Sequence, residues 1–77
     1  MAKYKIECFH NGGQINNSQQ TTLEKLFHVA SWLCVKTGND DKGYTINMIE
    51  SQFRKRGIKR VSYENSFKDF SITLIRQ

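Results

Sequence analysis

The stretch 21–38, "TTLEKLFHVASWLCVKTG", decides how the rest of the chain is read. Leu23, Leu26, Phe27, Ala30, Leu33 and Cys34 recur at helical spacing, which places them on one face of an α-helix. Thr21 and Glu24 form a capping-box pattern: the Thr21 hydroxyl accepts from the Glu24 N–H, and the Glu24 side chain reaches back. Gly38 stands where a helix ends in a left-handed residue. The expected helix runs over 22–37. Val29, Trp32 and Val35 add a second apolar strip, and a helix apolar over so much of its circumference is expected to be covered on more than one side.

Upstream, "KYKIECFH" (3–10) alternates. Tyr4, Ile6 and Cys8 share one face and Lys3, Lys5 and Glu7 the other, the pattern of a strand with one wet side. Asn11-Gly12 follows, and both residues tolerate the positive φ of a type I′ hairpin turn. The return arm, "GQINN", holds one apolar residue, Ile15. It is expected to be short, irregular or a loop.

Downstream, "GNDDKG" (38–43) is a loop containing Asp40 and Asp41, read as solvated charge. A second helix is expected over 45–57, with Thr45 as its N-cap and Tyr44 stapled against Ile49. Ile46, Ile49 and Phe53 form its apolar stripe, and Gly57 stops it. Period-two character then returns in "KRVSYE" and "FKDFSITLIR", joined by a turn at Asn65-Ser66. Phe70, Ile72 and Leu74 share a face, and Ile75 lies opposite, so the last strand is expected to be covered on both sides at its end. The fold class is α+β with order β-α-α-β-β, an antiparallel sheet with two helices packed on one face. A chain of 77 residues, without repeat or linker, is one compact domain, 1–77. A domain this small draws on its aromatics for a core: Phe9, Phe27, Trp32, Tyr44, Phe53, Phe67 and Phe70.

The net charge is +5, which favours an anionic partner through electrostatic steering. "QFRKRGIKR" (52–60) concentrates that charge in Arg54, Lys55, Arg56, Lys59 and Arg60. Cations in the last turn of a helix oppose its negative end, which rationalises Arg54, Lys55 and Arg56 but not Lys59 and Arg60. Glu50, four residues before Arg54, is the one neutralising partner on the helix. Lys42 and Lys68 are not placed by the sequence. Such a cluster suits phosphate contacts that position a backbone without reading bases. Among the strand aromatics Tyr63 is the candidate for base stacking, because it follows the basic run on a short strand.

Other constellations are weaker. Cys8, His10, His28 and Cys34 are zinc-capable by type, but His28 and Cys34 lie about 240° apart around a helix, so no metal site is expected. Two cysteines give no disulfide framework, although spacing alone leaves a Cys8–Cys34 bridge open. No catalytic motif, cofactor motif, secretory signal or membrane-length apolar run is visible, so the expectation is a cytoplasmic, soluble, non-enzymatic protein without small-molecule substrate or cofactor. The element order is similar to that of a minimal KH-type RNA-binding core, but "GNDDKG" departs from that family's GxxG loop by two extra, acidic residues. A winged-helix arrangement, with helix 45–57 in the major groove and 59–76 as the wing, leaves the first strand without a role. The leading expectation is a small basic protein that engages nucleic acid, DNA or RNA, through the 54–60 cluster. The alternative is an inhibitor or adaptor, of the kind phages and mobile elements encode, directed at an acidic protein surface such as a host nucleoprotein enzyme. On that reading Trp32 or Val29 would anchor the contact.

Overall fold

The first hairpin sets the frame. In the computed structural model, which describes residues 3–40 and 42–77, β1 (Tyr4–His10) turns back through Asn11 and Gly12 into β2 (Gly13–Gln20). Asn11 and Gly12 have φ of 53° and 81°, the positive values a type I′ turn needs. The return arm is therefore a regular strand of eight residues, not a short or irregular one. Polar side chains suffice there because backbone bonds to β1, a central strand of the sheet, hold the strand, and β propensity is largely a matter of context. The irregularity is local. Cys8 faces Asn16 and Phe9 faces Gln14, which leaves Ile15 as an extra residue in a β-bulge.

The chain continues through α1 (Leu23–Lys36), α2 (Tyr44–Phe53), β3 (Arg60–Glu64) and β4 (Phe70–Arg76). The four strands form one antiparallel sheet in the order β2-β1-β4-β3. The architecture is the expected α+β domain, with the second arm of the first hairpin added to the order. β1 pairs on both sides, with β2 and β4, so it is central to the sheet and the winged-helix arrangement does not apply.

One face of the sheet carries both helices. Ile6 and Cys8 from β1, Val61 from β3, and Phe70, Ile72 and Leu74 from β4 meet Leu26, Phe27, Ala30, Leu33 and Cys34 of α1 and Ile46, Ile49 and Phe53 of α2 in one buried cluster. The rings of Phe27 and Tyr4 pack edge-on to Phe53 at centroid distances of 6.0 and 6.2 Å, a favoured aromatic geometry. The core uses fewer aromatics than the sequence offers. Phe9, Trp32, Tyr44 and Phe67 are exposed, because aliphatic side chains and two cysteines already fill the space between the layers. Of the Val29, Trp32 and Val35 strip, Val29 is half-buried against the core, whereas Trp32 and Val35 are 53% and 63% exposed, with the Lys36 ammonium 4.6 Å from the Trp32 ring centroid.

Both ends of α1 and the start of α2 differ by a residue or two from the sequence expectation, and α2 ends four residues short of it, at Phe53. Thr22, not Thr21, caps α1, its hydroxyl accepting from the Lys25 N–H at 3.2 Å. The C-terminus closes as a Schellman motif, with Gly38 at φ 75° and the Gly38 and Asn39 N–H groups donating to the Val35 and Cys34 carbonyls. α2 begins after Gly43 rather than Thr45. Its cap is Asp40, whose Oδ1 accepts from the Thr45 and Ile46 N–H groups at 3.1 and 3.3 Å. Asp40 is thus a capping group and not solvated loop charge. Asp41 lies outside the described residues. Tyr44 is 72% exposed and makes no staple with buried Ile49.

The two loops beyond β1 are tied together. Asn39 Nδ2 donates to the Thr37 hydroxyl and Asn39 Oδ1 accepts from Asn65. Asn65 Oδ1 in turn accepts from the Asp69 and Phe70 N–H groups. This network locks the β3–β4 turn, in which Lys68 has φ of 59°, to the α1–α2 loop.

Candidate functional site

The basic run wraps the end of the domain where α2 stops. α2 ends at Phe53, so Arg54 is its C-cap and Lys55 and Arg56 lie beyond the helix. The expected last turn is absent because the chain tightens: the Lys55 N–H donates to the Gln52 carbonyl and the Ile58 N–H to the Lys55 carbonyl, with Gly57 at φ 84°. The positive φ at Gly57 reverses the chain into β3, and a side chain there would be strained.

This reversal makes a shallow concavity of about 350 Å³ lined by Arg54, Lys55, Arg56, Gly57, Ile58, Lys59 and Arg76. Arg76 was not part of the sequence cluster. It comes from β4, whose antiparallel pairing with β3 sets the Arg76 N–H on the Lys59 carbonyl at 2.8 Å. Its guanidinium donates to the Ile58 and Phe53 carbonyls, each at 3.4 Å, and lies 5.0 Å from the Phe53 ring centroid and 5.4 Å from that of Tyr4. A cation here satisfies carbonyls left open at a helix end and opposes the helix dipole. The signal that could have found it is the strand pattern "SITLIR": pairing that strand with "KRVSYE" as a hairpin brings its final Arg beside Lys59.

The other candidates distribute as follows. Arg54 is exposed and its guanidinium carbon sits 4.8 Å from the Phe27 ring centroid. It forms no ion pair with Glu50; among the described residues Lys5–Glu7, at 3.1 Å, is the one ion pair present. Arg60 is exposed at the start of β3, outside the concavity lining, and alternates with buried Val61, so it belongs to the helix-free face of the sheet. Tyr63 is half-buried on the helix side, packed on the core, with its ring 6.4 Å from that of Phe70. It is therefore on the opposite sheet face from Arg60. Lys42 and Lys68 are at the other end of the domain, in the loops joined by Asn39 and Asn65.

Both cysteines are free and buried. Burial pushes the Cys8 thiol up to about 11. Burial, reinforced by the nearby Asp40 carboxylate and Cys8, pushes the Cys34 thiol up to about 12. Such thiols stay protonated at neutral pH and are poor nucleophiles and metal ligands. No three His, Cys, Asp or Glu side chains among the described residues come together as a metal site. His10 packs on Phe70 at 6.3 Å between ring centroids, and His28 faces the groove between the helices. Among the described residues no helix is long and apolar enough to cross a membrane.

What the site can do chemically follows from its donors. Arginine presents a planar fork suited to phosphate or carboxylate, and lysine a mobile point charge. Among the described residues no carboxylate lines the concavity, so its lining offers an anionic group attraction without a like charge. No known protein family, curated protein or solved structure matches the chain.

Proposed function

We propose that this protein is a small non-enzymatic binding module that engages a polyanionic surface, the phosphate backbone of a nucleic acid, through Arg54, Lys55, Arg56, Lys59, Arg60 and Arg76. The observation that carries the reading is the convergence of Arg76, from the last strand, with the 54–59 turn around one carboxylate-free concavity. Sequence neighbours alone can be a solvated helix end; a cation brought in from a distant strand makes a shaped surface. Arg76 is also held in place by two carbonyls and two rings, so it loses little freedom when it meets an anion. Contacts of this kind release condensed counterions and position a backbone without reading base sequence.

The test is a set of affinities for single-stranded and duplex DNA and RNA across a salt series, for the wild type and the Lys59→Gln/Arg60→Gln variant. The expected result is a steep fall with salt, and a log–log slope shallower in the variant by about one unit per lost phosphate contact. Equal affinities for both proteins at every salt concentration overturn the reading.

A second reading, an inhibitor or adaptor directed at a protein, draws on a different observation. At the end of the domain opposite the basic turn, Phe67 is 83% exposed on the turn that Asn65 locks, and Tyr44, at the start of α2, is 72% exposed. Rigid exposed aromatics are favoured protein anchors. Nuclease-resistant capture of one protein by the wild type, abolished by Phe67→Ala and unaffected by Lys59→Gln/Arg60→Gln, would favour this reading over the first.

A further inference from the structure

The sheet has a second face. Both helices pack on one side, and the strand residues that alternate with the buried ones point to the other. At the end beside the basic turn, Lys5, Ile75 and Arg60 stand in one row across β1, β4 and β3. At the far end the row is Gln14, Phe9, Ser71 and Glu64. None of these side chains is buried. Phe9 is 42% exposed on β1, a central strand, and among the described residues it is the one aromatic on this face. Beside it Ser71, Glu64, Lys68 and Asp69 help to line a small hollow of about 100 Å³.

The charges on this face are sorted along it. Arg60 lies at the end that adjoins Lys59 and Arg76 of the basic concavity, since Arg60 faces Ile75 and the Arg76 N–H meets the Lys59 carbonyl. The acids Glu64 and Asp69 lie at the Phe9 end, with Lys68. Glu7, midway, is neutralised by its ion pair with Lys5 at 3.1 Å. An unpaired nucleotide needs a flat surface for its base, hydrogen-bonding partners for the base edge and positive charge for its phosphates. This face offers the first two at Phe9 and the third at Arg60.

We propose that the helix-free face takes a single-stranded nucleic acid, with one unpaired base stacked on the Phe9 ring and the phosphates directed toward Arg60 and the basic concavity. The assignment rests on the phosphate-binding reading above and adds to it the ligand class, single strand rather than duplex, and the residue that meets a base. Duplex bases are stacked inside the helix, where a ring on a flat sheet touches none of their faces; an unpaired base can lie on it. Lys5 and Phe9 are four residues apart along β1, about 13 Å, so a few nucleotides reach from the ring to the basic end. Glu64 and Asp69 repel phosphates but accept from the N–H groups of a base edge, and Gln14 and Ser71, on either side of Phe9, both donate and accept. A protein fits this face less well. The cores of protein interfaces are depleted in Lys, Glu and Ser and centre on clustered anchors, whereas Lys5, Glu7, Glu64, Ser62 and Ser71 surround a single ring here. Every base has a π-face, so the platform adds affinity without sequence specificity.

Fluorescence anisotropy on the full chain tests this with labelled oligonucleotides of about 12 nucleotides: single-stranded DNA and RNA, the same DNA as duplex, and an abasic strand of equal charge, in a salt series starting at about 50 mM NaCl. The wild type should bind the single strands roughly tenfold tighter than the abasic strand. Phe9→Ala, and Phe9→Leu, which keeps an apolar side chain without a π-face, should bring the single strands down to the abasic affinity. Their melts should stay cooperative, their duplex affinity should not change, and their salt slope should equal that of the wild type, because no phosphate contact is lost. Phe9→Trp should keep the preference. Lys59→Gln/Arg60→Gln should weaken single and abasic strands by the same factor and flatten the slope. Equal wild-type affinities for single and abasic strands, or a preference that survives Phe9→Leu, overturn this inference, and steep salt dependence in the same data leaves the phosphate-binding reading standing. Absence of salt-dependent binding to every oligonucleotide overturns both. Phe9→Leu that leaves all oligonucleotide affinities unchanged but abolishes nuclease-resistant capture of a protein gives the face to a protein and overturns the proposal.

Discussion

Arg76 lies with its guanidinium 5.0 Å from the Phe53 ring centroid and its Nη2 3.4 Å from the Phe53 carbonyl. One side chain from the last strand thus closes the end of α2, stacks on the core and lines the basic concavity. Arg76→Ala should cost about 1–2 kcal/mol, from the lost cation–π contact and the carbonyls left open. Arg76→Lys should recover part of the charge but not the two-carbonyl bridge. Urea unfolding of the three proteins checks this, and equal midpoints would mean that the arginine is not held as described.

α1 is the element on which both layers depend. Leu26 and Leu33 are buried, and truncating either to Ala should cost roughly 2–5 kcal/mol. A domain of this size has on the order of 5–10 kcal/mol in total. Each single variant should show a clearly lower melting temperature by circular dichroism, and Leu26→Ala/Leu33→Ala together should be largely unfolded. Trp32→Ala, on the exposed flank of the same helix, should leave the melt of the dilute protein nearly unchanged.

Asp40 caps α2 from outside the helix, across the Gly43 turn. Asp40→Ala should cost about 1 kcal/mol, the usual worth of an N-cap, and Asp40→Asn less because it keeps an acceptor. Hydrogen exchange at the Thr45 and Ile46 amides should quicken in Asp40→Ala more than in Asp40→Asn.

The thiols carry a pH signature. Burial raises Cys8 and Cys34 to about 11 and about 12 from an ordinary value of 9.0. A group whose pKa is raised on folding contributes its full stabilisation below the unfolded value and loses it as pH climbs through the folded value. Stability should therefore decline from about pH 9 upward, more steeply in the wild type than in Cys8→Ala/Cys34→Ala. At pH 8 a thiol reagent should modify the native protein slowly and the urea-unfolded protein fast. Rapid native labelling would show an accessible thiolate.

Signals that act over a few residues determined α1, the Asn11-Gly12 turn, the inward faces of β1 and β4, and the run from Arg54 to Arg60. Helical period, strand alternation, a left-handed glycine and charge density all report local geometry. Tertiary structure alone decided the rest. β2 is a strand because β1 offers it a backbone edge, although its own side chains show no alternation. Asp40 reads as loop charge until the loop folds it onto the α2 N-terminus. Tyr63 reads as an exposed strand aromatic, yet its parity along β3 turns it to the helix side. Trp32, Tyr44 and Phe67 read as core and lie outside, because hydrophobicity says what gains from burial, not what finds room. Arg76 joins Lys59 only through antiparallel pairing of β3 with β4, and that pairing gives the basic run its shape.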